Sequence, residues 1–206
     1  AAYWTQIHYK WLEKTINQLP ENSPLRLNLS GLLSTCNNTE TFISSYDEQI
    51  SLIAELPEYK DKVKALNCFR GLKTLSSLTL TTELGDIRRF PHPSKVTAYS
   101  GLSIREYSSG GKELRFGITK QGNHILRTVV VEACQFAFKP PKVSKNLQER
   151  RMGADPESIN IADRCMHRLS KKSIRMFMNR KHRNKIKVAC AREMLCFVWE
   201  ALHKAA

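Results

Sequence analysis

Between Gly101 and Arg127 the chain reads GLSIREYSSGGKELRFGITKQGNHILR, and no other stretch constrains the fold so tightly. A Ser108-Ser109-Gly110-Gly111 turn joins two short extended runs at 103–107 and 112–116. Glycine adopts positive φ without a steric penalty, so Ser-Gly and Gly-Gly pairs close tight hairpins. A Gly-Ile-Thr-Lys-Gln-Gly-Asn element at 117–123 follows and opens an apolar helix. The turn exposes two hydroxyls beside backbone N–H groups and basic side chains. Those groups suit an ordinary hairpin, and they also suit holding and attacking a phosphodiester. A serine is a weak nucleophile unless a base, a metal or electrostatics assist it. Lys112, Arg115, Lys120 and Arg127 offer charge for a phosphoryl transition state. Asn123 and the helix N-terminus after it read as a second phosphate-contacting element or as a plain capping loop. His92 and His124 are the nearest imidazoles and receive no assigned role.

Extended upstream, the stretch shows a long ordered pattern. It has Glu-Leu-Gly-Asp at 83–86, Arg-Phe-Pro at 89–91, Tyr-Ser-Gly-Leu at 99–102, then the serine turn and the 117–123 element. A helix with Arg127 and Val-Glu-Ala at 131–133 completes it. This pattern resembles the C-terminal domain of the Piv/MooV-type insertion-sequence transposases. These are the bridge-RNA-guided serine recombinases of the IS-one-ten family, here closest to its IS1111-like branch. The likeness is densest over 66–135 and weaker through 140–144 and 192–199.

The resemblance implies a DNA transposase in which a serine attacks a DNA phosphodiester. A covalent phosphoserine–DNA link results and no ATP is needed. The matching position is Ser109, with Ser108 as the alternative, and Gly110 and Gly111 are implied contacts of the nucleic acid. It also implies DNA and a guide (bridge) RNA as partners and a homo-oligomer in the full-length protein. A RuvC-like N-terminal domain with acidic Mg²⁺ ligands is implied as well. Asp47 is the first aspartate of this chain, so the chain is expected to be the C-terminal part of a larger enzyme, with Mg²⁺ held in the missing domain. The reading of a different class is a non-enzymatic nucleic-acid-binding module or an inactive transposase fragment.

Charge supports a polyanionic partner. The net charge is +14 over 206 residues. It is uneven: residues 139–187 carry 15 basic and four acidic side chains, whereas 1–60 carry four and seven. A concentrated excess is the footprint of a phosphate-binding face. No apolar run approaches the roughly 18 residues of a membrane span. The six cysteines form no C-x-x-C pair, which argues against zinc. Cys134, Cys165, Cys190 and Cys196 fit apolar helical patterns as buried thiols, and the expected compartment is a reducing cytoplasm.

The chain reads as mainly α with one short β-hairpin, in three parts. Residues 1–58 form a helical or coiled-coil arm. In it Phe42, Tyr46, Ile50 and Ile53 share a face, Asn38-Thr39 supplies an N-cap, and Pro57 is a stop. Packing on the main domain and dimerisation remain equal alternatives for this arm. Residues 59–138 form the transposase core. There two helices at 63–69 and 75–84 flank Arg70-Gly71-Leu72-Lys73, like a helix-hairpin-helix whose turn meets a phosphate. The resemblance implies Gly-hydrophobic-Gly at that turn, and Lys73 replaces the second glycine with a point charge. An ordinary helical turn explains it equally. Ser94 is expected to cap a short helix through Tyr99, and Asn123 a helix to about Phe138. Residues 139–206 form the basic helical C-terminal part of the same domain. It is mostly irregular to Pro156 and helical from 158 to 178. Arg164, Arg168, Lys171 and Arg175 make one positive stripe there, with Asp163 as the only acid in that helix. Unpaired cations at this density read as phosphate contacts. The last helix is expected to bury Val188, Ala191, Leu195, Val198, Trp199 and Leu202.

Overall fold

A computed structural model describes residues 4–109 and 112–205, with the backbone alone for 108–109 and 112–115. Helices dominate: α1 Gln6–Asn17, α2 Pro24–Ala54, α3 Lys60–Asn67, α4 Thr74–Leu84 and α5 Pro93–Tyr99 precede the hairpin. Strands β1 Ile104–Ser109 and β2 Lys112–Ile118 form it, and α6 His124–Ala133, α7 Lys145–Arg151, α8 Pro156–Met178 and α9 Arg183–Lys204 follow. The mainly α fold with a short β-hairpin is therefore the observed one. The chain divides into two compact units, Ala1–Gln49 and Ile50–Ala206.

In the first unit, Thr5 caps α1 by accepting from the His8 N–H at 3.4 Å. The Tyr9 hydroxyl donates to Glu40 Oε1 at 2.5 Å and ties α1 to α2. That carboxylate pushes the Tyr9 phenol up to about 12. Helix α2 runs unbroken for 31 residues, so Asn38-Thr39 is not an N-cap. The Thr39 hydroxyl donates instead to the Thr35 carbonyl one turn back, as Thr35 does to Gly31 and Ser44 to Glu40. Hydroxyls satisfied on their own helix no longer compete with it. Phe42, Tyr46 and Ile53 are exposed.

The second unit is built around α9. Eight of its residues are buried, and it packs on α8, α5, α6 and α3. Ala191, Leu195, Val198 and Leu202 are buried as expected, whereas Val188 and Trp199 stand half-buried at the edge of the core. The Trp199 indole N–H reaches the Phe90 carbonyl at 2.7 Å, so its polar end is satisfied there.

Several boundaries differ from the sequence reading. The segment after Pro141 is not irregular throughout: Ser144 caps α7, accepting from the Leu147 N–H at 3.3 Å. Asp155 caps α8, which starts at Pro156 and so also includes the acid Glu157. His92 rather than Ser94 caps α5, because Pro93 takes the first helical position, where a missing N–H costs nothing. Helix α6 ends at Ala133 and passes into a 3₁₀ turn at Cys134–Phe138. Cys134, Cys165 and Cys190 are buried, but Cys196 is only half-buried. Burial pushes the Cys190 thiol up to about 11.

Candidate nucleic-acid interface

The hairpin is antiparallel, with Ser109 opposite Lys112, Ser108 opposite Glu113 and Arg115 opposite Glu106. Gly110 and Gly111 lie outside the described residues. Pairing is irregular between Ile104 and Glu106, beside the Ile104–Ile118 pair at the base. Tyr107 is 65% and Phe116 52% exposed, so the ribbon beyond its Ile118 base is not seated on the helices. The Arg105 guanidinium lies 5.7 Å from the Phe116 ring centre.

The base of the ribbon is locked by backbone bonds. Lys120 N–H donates to Gly101 O at 3.0 Å, Thr119 N–H to Ser103 O at 2.9 Å, and Asn123 N–H to Tyr99 O at 2.7 Å. Two glycines make these approaches possible. A Cβ on Gly122 (φ 136°) would sit 2.3 Å from the Tyr99 carbonyl oxygen. One on Gly101 (φ 70°) would meet the Arg127 guanidinium at 2.7 Å. Arg127 donates to the Ser100 carbonyl at 2.8 Å, which fixes its guanidinium against the turn. Lys120 holds a left-handed φ of 60°, an uncommon conformation for a residue with a side chain.

A polar network at the same base was not assigned from sequence. Asn123 caps α6, its Oδ1 accepting from the Leu126 N–H at 3.1 Å, while its Nδ2 donates to Glu83 Oε2 at 2.6 Å. Hydrogen bonds from Arg89 and Asn123 lower the pKa of the Tyr99 phenol, and the Arg89 guanidinium lies 4.8 Å from the Tyr99 ring centre. Glu83, Arg89 and Tyr99 all belong to the ordered pattern in the sequence. Glu83 and Tyr99 both meet Asn123, and Arg89 joins through Tyr99, a linkage that the pattern alone does not reveal.

The structure separates the serines from this base. From Ile104 to Ser109 the strand covers about 17 Å at roughly 3.4 Å per residue. Lys112 and Arg115 share the ribbon with the serines, whereas Lys120, Asn123 and Arg127 stay at its root.

Gly71 and Lys73 flank the turn between α3 and α4. Gly71 has φ 95°, and a Cβ there would lie 2.3 Å from the Ala133 carbonyl oxygen, so this glycine is needed for α6 to approach. Lys73 is exposed, and its N–H donates to Ser76 Oγ at 2.7 Å. Two arginines of α7 hold the same turn. Arg150 Nη1 donates to Leu72 O, and Arg151 Nε donates to Cys68 O at 3.0 Å. Arg151 Nη2 also lies 2.8 Å from Asp163 Oδ1.

The positive stripe of α8 is not uniformly unpaired. Arg164 makes a bidentate pair with Glu200, both contacts at 3.0 Å. Arg168 Nε reaches Glu193 Oε1 at 2.5 Å, and Lys172 Nζ reaches Glu193 Oε2 at 2.8 Å. These acids come from α9 and were invisible to a reading of α8 alone. Lys171 and Arg175 are exposed and, among the described residues, carry no ion pair. Burial opposes ionisation of Glu193, but hydrogen bonds from Lys172 and Arg168 outweigh it and lower its pKa.

Among the described residues, no group of three or more His, Cys, Asp and Glu side chains is placed to hold a metal ion. No described helix is long and apolar enough to cross a membrane.

Residues 63–148 match the profile of the transposase IS116/IS110/IS902 family. Over 203 residues the chain is 29% identical to a Sinorhizobium fredii protein designated transposase y4qE, covering 98% of this chain and 48% of that one. It is 30% identical over 173 residues to the transposase for insertion sequence element IS1533 of Leptospira borgpetersenii, covering 84% and 49%. It is also 30% identical over 114 residues to the transposase for IS1111A of Coxiella burnetii, covering 55% and 30%. Through this segment the chain is similar to transposases of the IS116/IS110/IS902 family. It spans about half the length of the first two of these relatives.

Proposed function

We propose that this chain is the serine-bearing part of an RNA-guided DNA transposase. The Ser109 hydroxyl attacks a DNA phosphorus. A new P–O bond joins serine to DNA while the bond to the departing DNA oxygen breaks, and that oxygen takes up a proton. The reverse attack by another DNA hydroxyl releases the serine and joins new strands, so bond energy is conserved. The observation that carries this reading is the register, which sets Ser109 opposite Lys112 at the end of an exposed ribbon. A lysine there is suited to stabilise charge on the phosphoryl oxygens. Ser108, opposite Glu113, has no such neighbour in register.

The root of the ribbon serves positioning. The Glu83–Asn123–Tyr99–Arg89 network and the locked glycine turns fix the direction in which the ribbon leaves the helices. Lys120, Arg127, Lys73 and the turn at Gly71 then face the flanking phosphates of the same DNA. Mg²⁺ would be held by acidic residues of the RuvC-like domain that the family resemblance implies. Bound there, the metal would supply Lewis-acid stabilisation of the phosphoryl oxygens. A guide RNA selects the target by pairing, so the protein need not read bases, and the full-length protein acts as a homo-oligomer.

One observation favours a second reading, a binding module without catalysis: the serines lie at the far end of β1, about 17 Å of strand from its root. Covalent trapping separates the two. The full-length protein is incubated with Mg²⁺, guide RNA and nicked target DNA, denatured and run on a gel. An adduct lost in Ser109→Ala and kept in Ser108→Ala is the expected result. Loss only in Ser108→Ala moves the nucleophile by one residue. No adduct in any sample, with salt-sensitive binding intact, establishes the binding module.

A further inference from the structure

The cations of α8 do not end on an open helix face. Arg168, Lys171, Lys172 and Arg175 line one side of a groove, and Arg192 and Glu193 of α9 line it with them. Positions three, four and seven apart share a helix face, so these four α8 residues converge rather than scatter. They span about 10 Å of helix at roughly 1.5 Å per residue. Five cations thus meet a single carboxylate. That carboxylate is the less accessible partner: the Glu193 side chain is 17% exposed, against 67% for Arg168. Like charges held this close repel one another, and Glu193 relieves the repulsion for only two of them. Lys171, Arg175 and Arg192 remain exposed on the rim.

We propose that this groove binds a phosphodiester backbone, and that Glu193 is its internal counterion, from which the nucleic acid draws Arg168 and Lys172. This rests on the nucleic-acid reading above and relocates its strongest contact. The contact is not the α8 stripe as a whole, since Arg164 at its other end is already neutralised by Glu200. It is the C-terminal half of α8 together with Arg192, a residue that no pattern within α8 could supply. Successive phosphates of one duplex strand rise about 3.4 Å, so the groove accommodates about three of them. Contacts of this kind position a strand without reading its sequence. Duplex DNA and guide RNA present the same chemistry, and the test separates them.

Binding of a 20-base-pair DNA duplex and of an RNA hairpin is measured with the whole chain between about 50 and 200 mM salt. Lys171→Gln combined with Arg175→Gln is expected to flatten the log–log salt slope by about two. Arg192→Gln is expected to flatten it by about one. Glu193→Gln is expected to tighten binding several-fold and steepen the slope, because two cations are released to the ligand. A change confined to DNA assigns the groove to the target, and one confined to RNA assigns it to the guide. Unchanged slopes with both polymers, at unchanged melting temperature, overturn the proposal, as does weaker binding by a folded Glu193→Gln protein. Arg192→Gln keeps the test open should Glu193→Gln fail to fold. The serine adduct is measured in parallel. An adduct with unchanged slopes removes the groove and leaves the serine reading intact. Altered slopes without any wild-type adduct do the reverse.

Discussion

Arg151 and Arg175 lie in the same basic third of the chain and have opposite roles. Arg151 is 8% exposed, donates to the Cys68 carbonyl and faces Asp163. Its neighbour Arg150 reaches Leu72 O, so together the α7 arginines satisfy the carbonyls that end α3 and shape its turn. Arg175 is exposed and, among the described residues, has no ion-pair partner. One pair of cations belongs to the fold, and the other cation is available to a ligand. A net charge counts both alike. The binding surface is what remains once the structural cations, and Arg164 in its pair with Glu200, are set aside.

This contrast can be broken most directly at Arg151. Arg151→Ala leaves Asp163 and a buried carbonyl without their partner, and should destabilise the chain by about 3 kcal/mol in urea unfolding. An unchanged midpoint would place Arg151 on the ligand side instead. Gly122→Ala tests the other fold-committed region, the root of the ribbon. Its methyl would collide with the Tyr99 carbonyl at a left-handed φ, at a cost of about 2 kcal/mol. A wild-type melting temperature would show that the root is looser than its geometry.

Glu193 sharpens the comparison, because it stands between the two groups. Its folded pKa lies below the ordinary glutamate value, held there by Lys172 and Arg168 against burial. Its contribution is therefore present above the unfolded pKa and lost as pH falls through the folded one. Acid unfolding followed by circular dichroism should show a shallower acid limb in Glu193→Gln. An identical limb would mean that the ion pairs do not form in solution. The smallest effect is expected from Arg175→Ala: stability within about 0.5 kcal/mol of wild type, as for an uncommitted surface residue.

Local signals in the sequence carried far. The Ser-Gly turn gave the hairpin, Asn123 gave the cap of α6, and the apolar spacing of the last helix gave most of its buried face. Each of these rests on interactions within a few residues, which a linear reading captures. The failures share a cause. Asn38-Thr39 looked like a cap because hydroxyl and amide side chains favour helix ends, yet Thr39 is satisfied one turn back within α2. Helix α7 escapes a linear reading because it is short and polar, and tertiary bonds from Arg150 and Arg151 hold it in place.

The candidate site divides in the same way. The sequence by itself determined the serine turn, the basic excess and the family pattern, since these depend on residue type and order. Tertiary structure alone decided which charges are free. Glu200 and Glu193 approach α8 from α9, and Glu83 and Asn123 meet across 40 residues of chain. The tertiary structure also set the serines apart from Lys120 and Arg127. Electrostatic pairing acts through distance in space, and distance along the chain does not encode it.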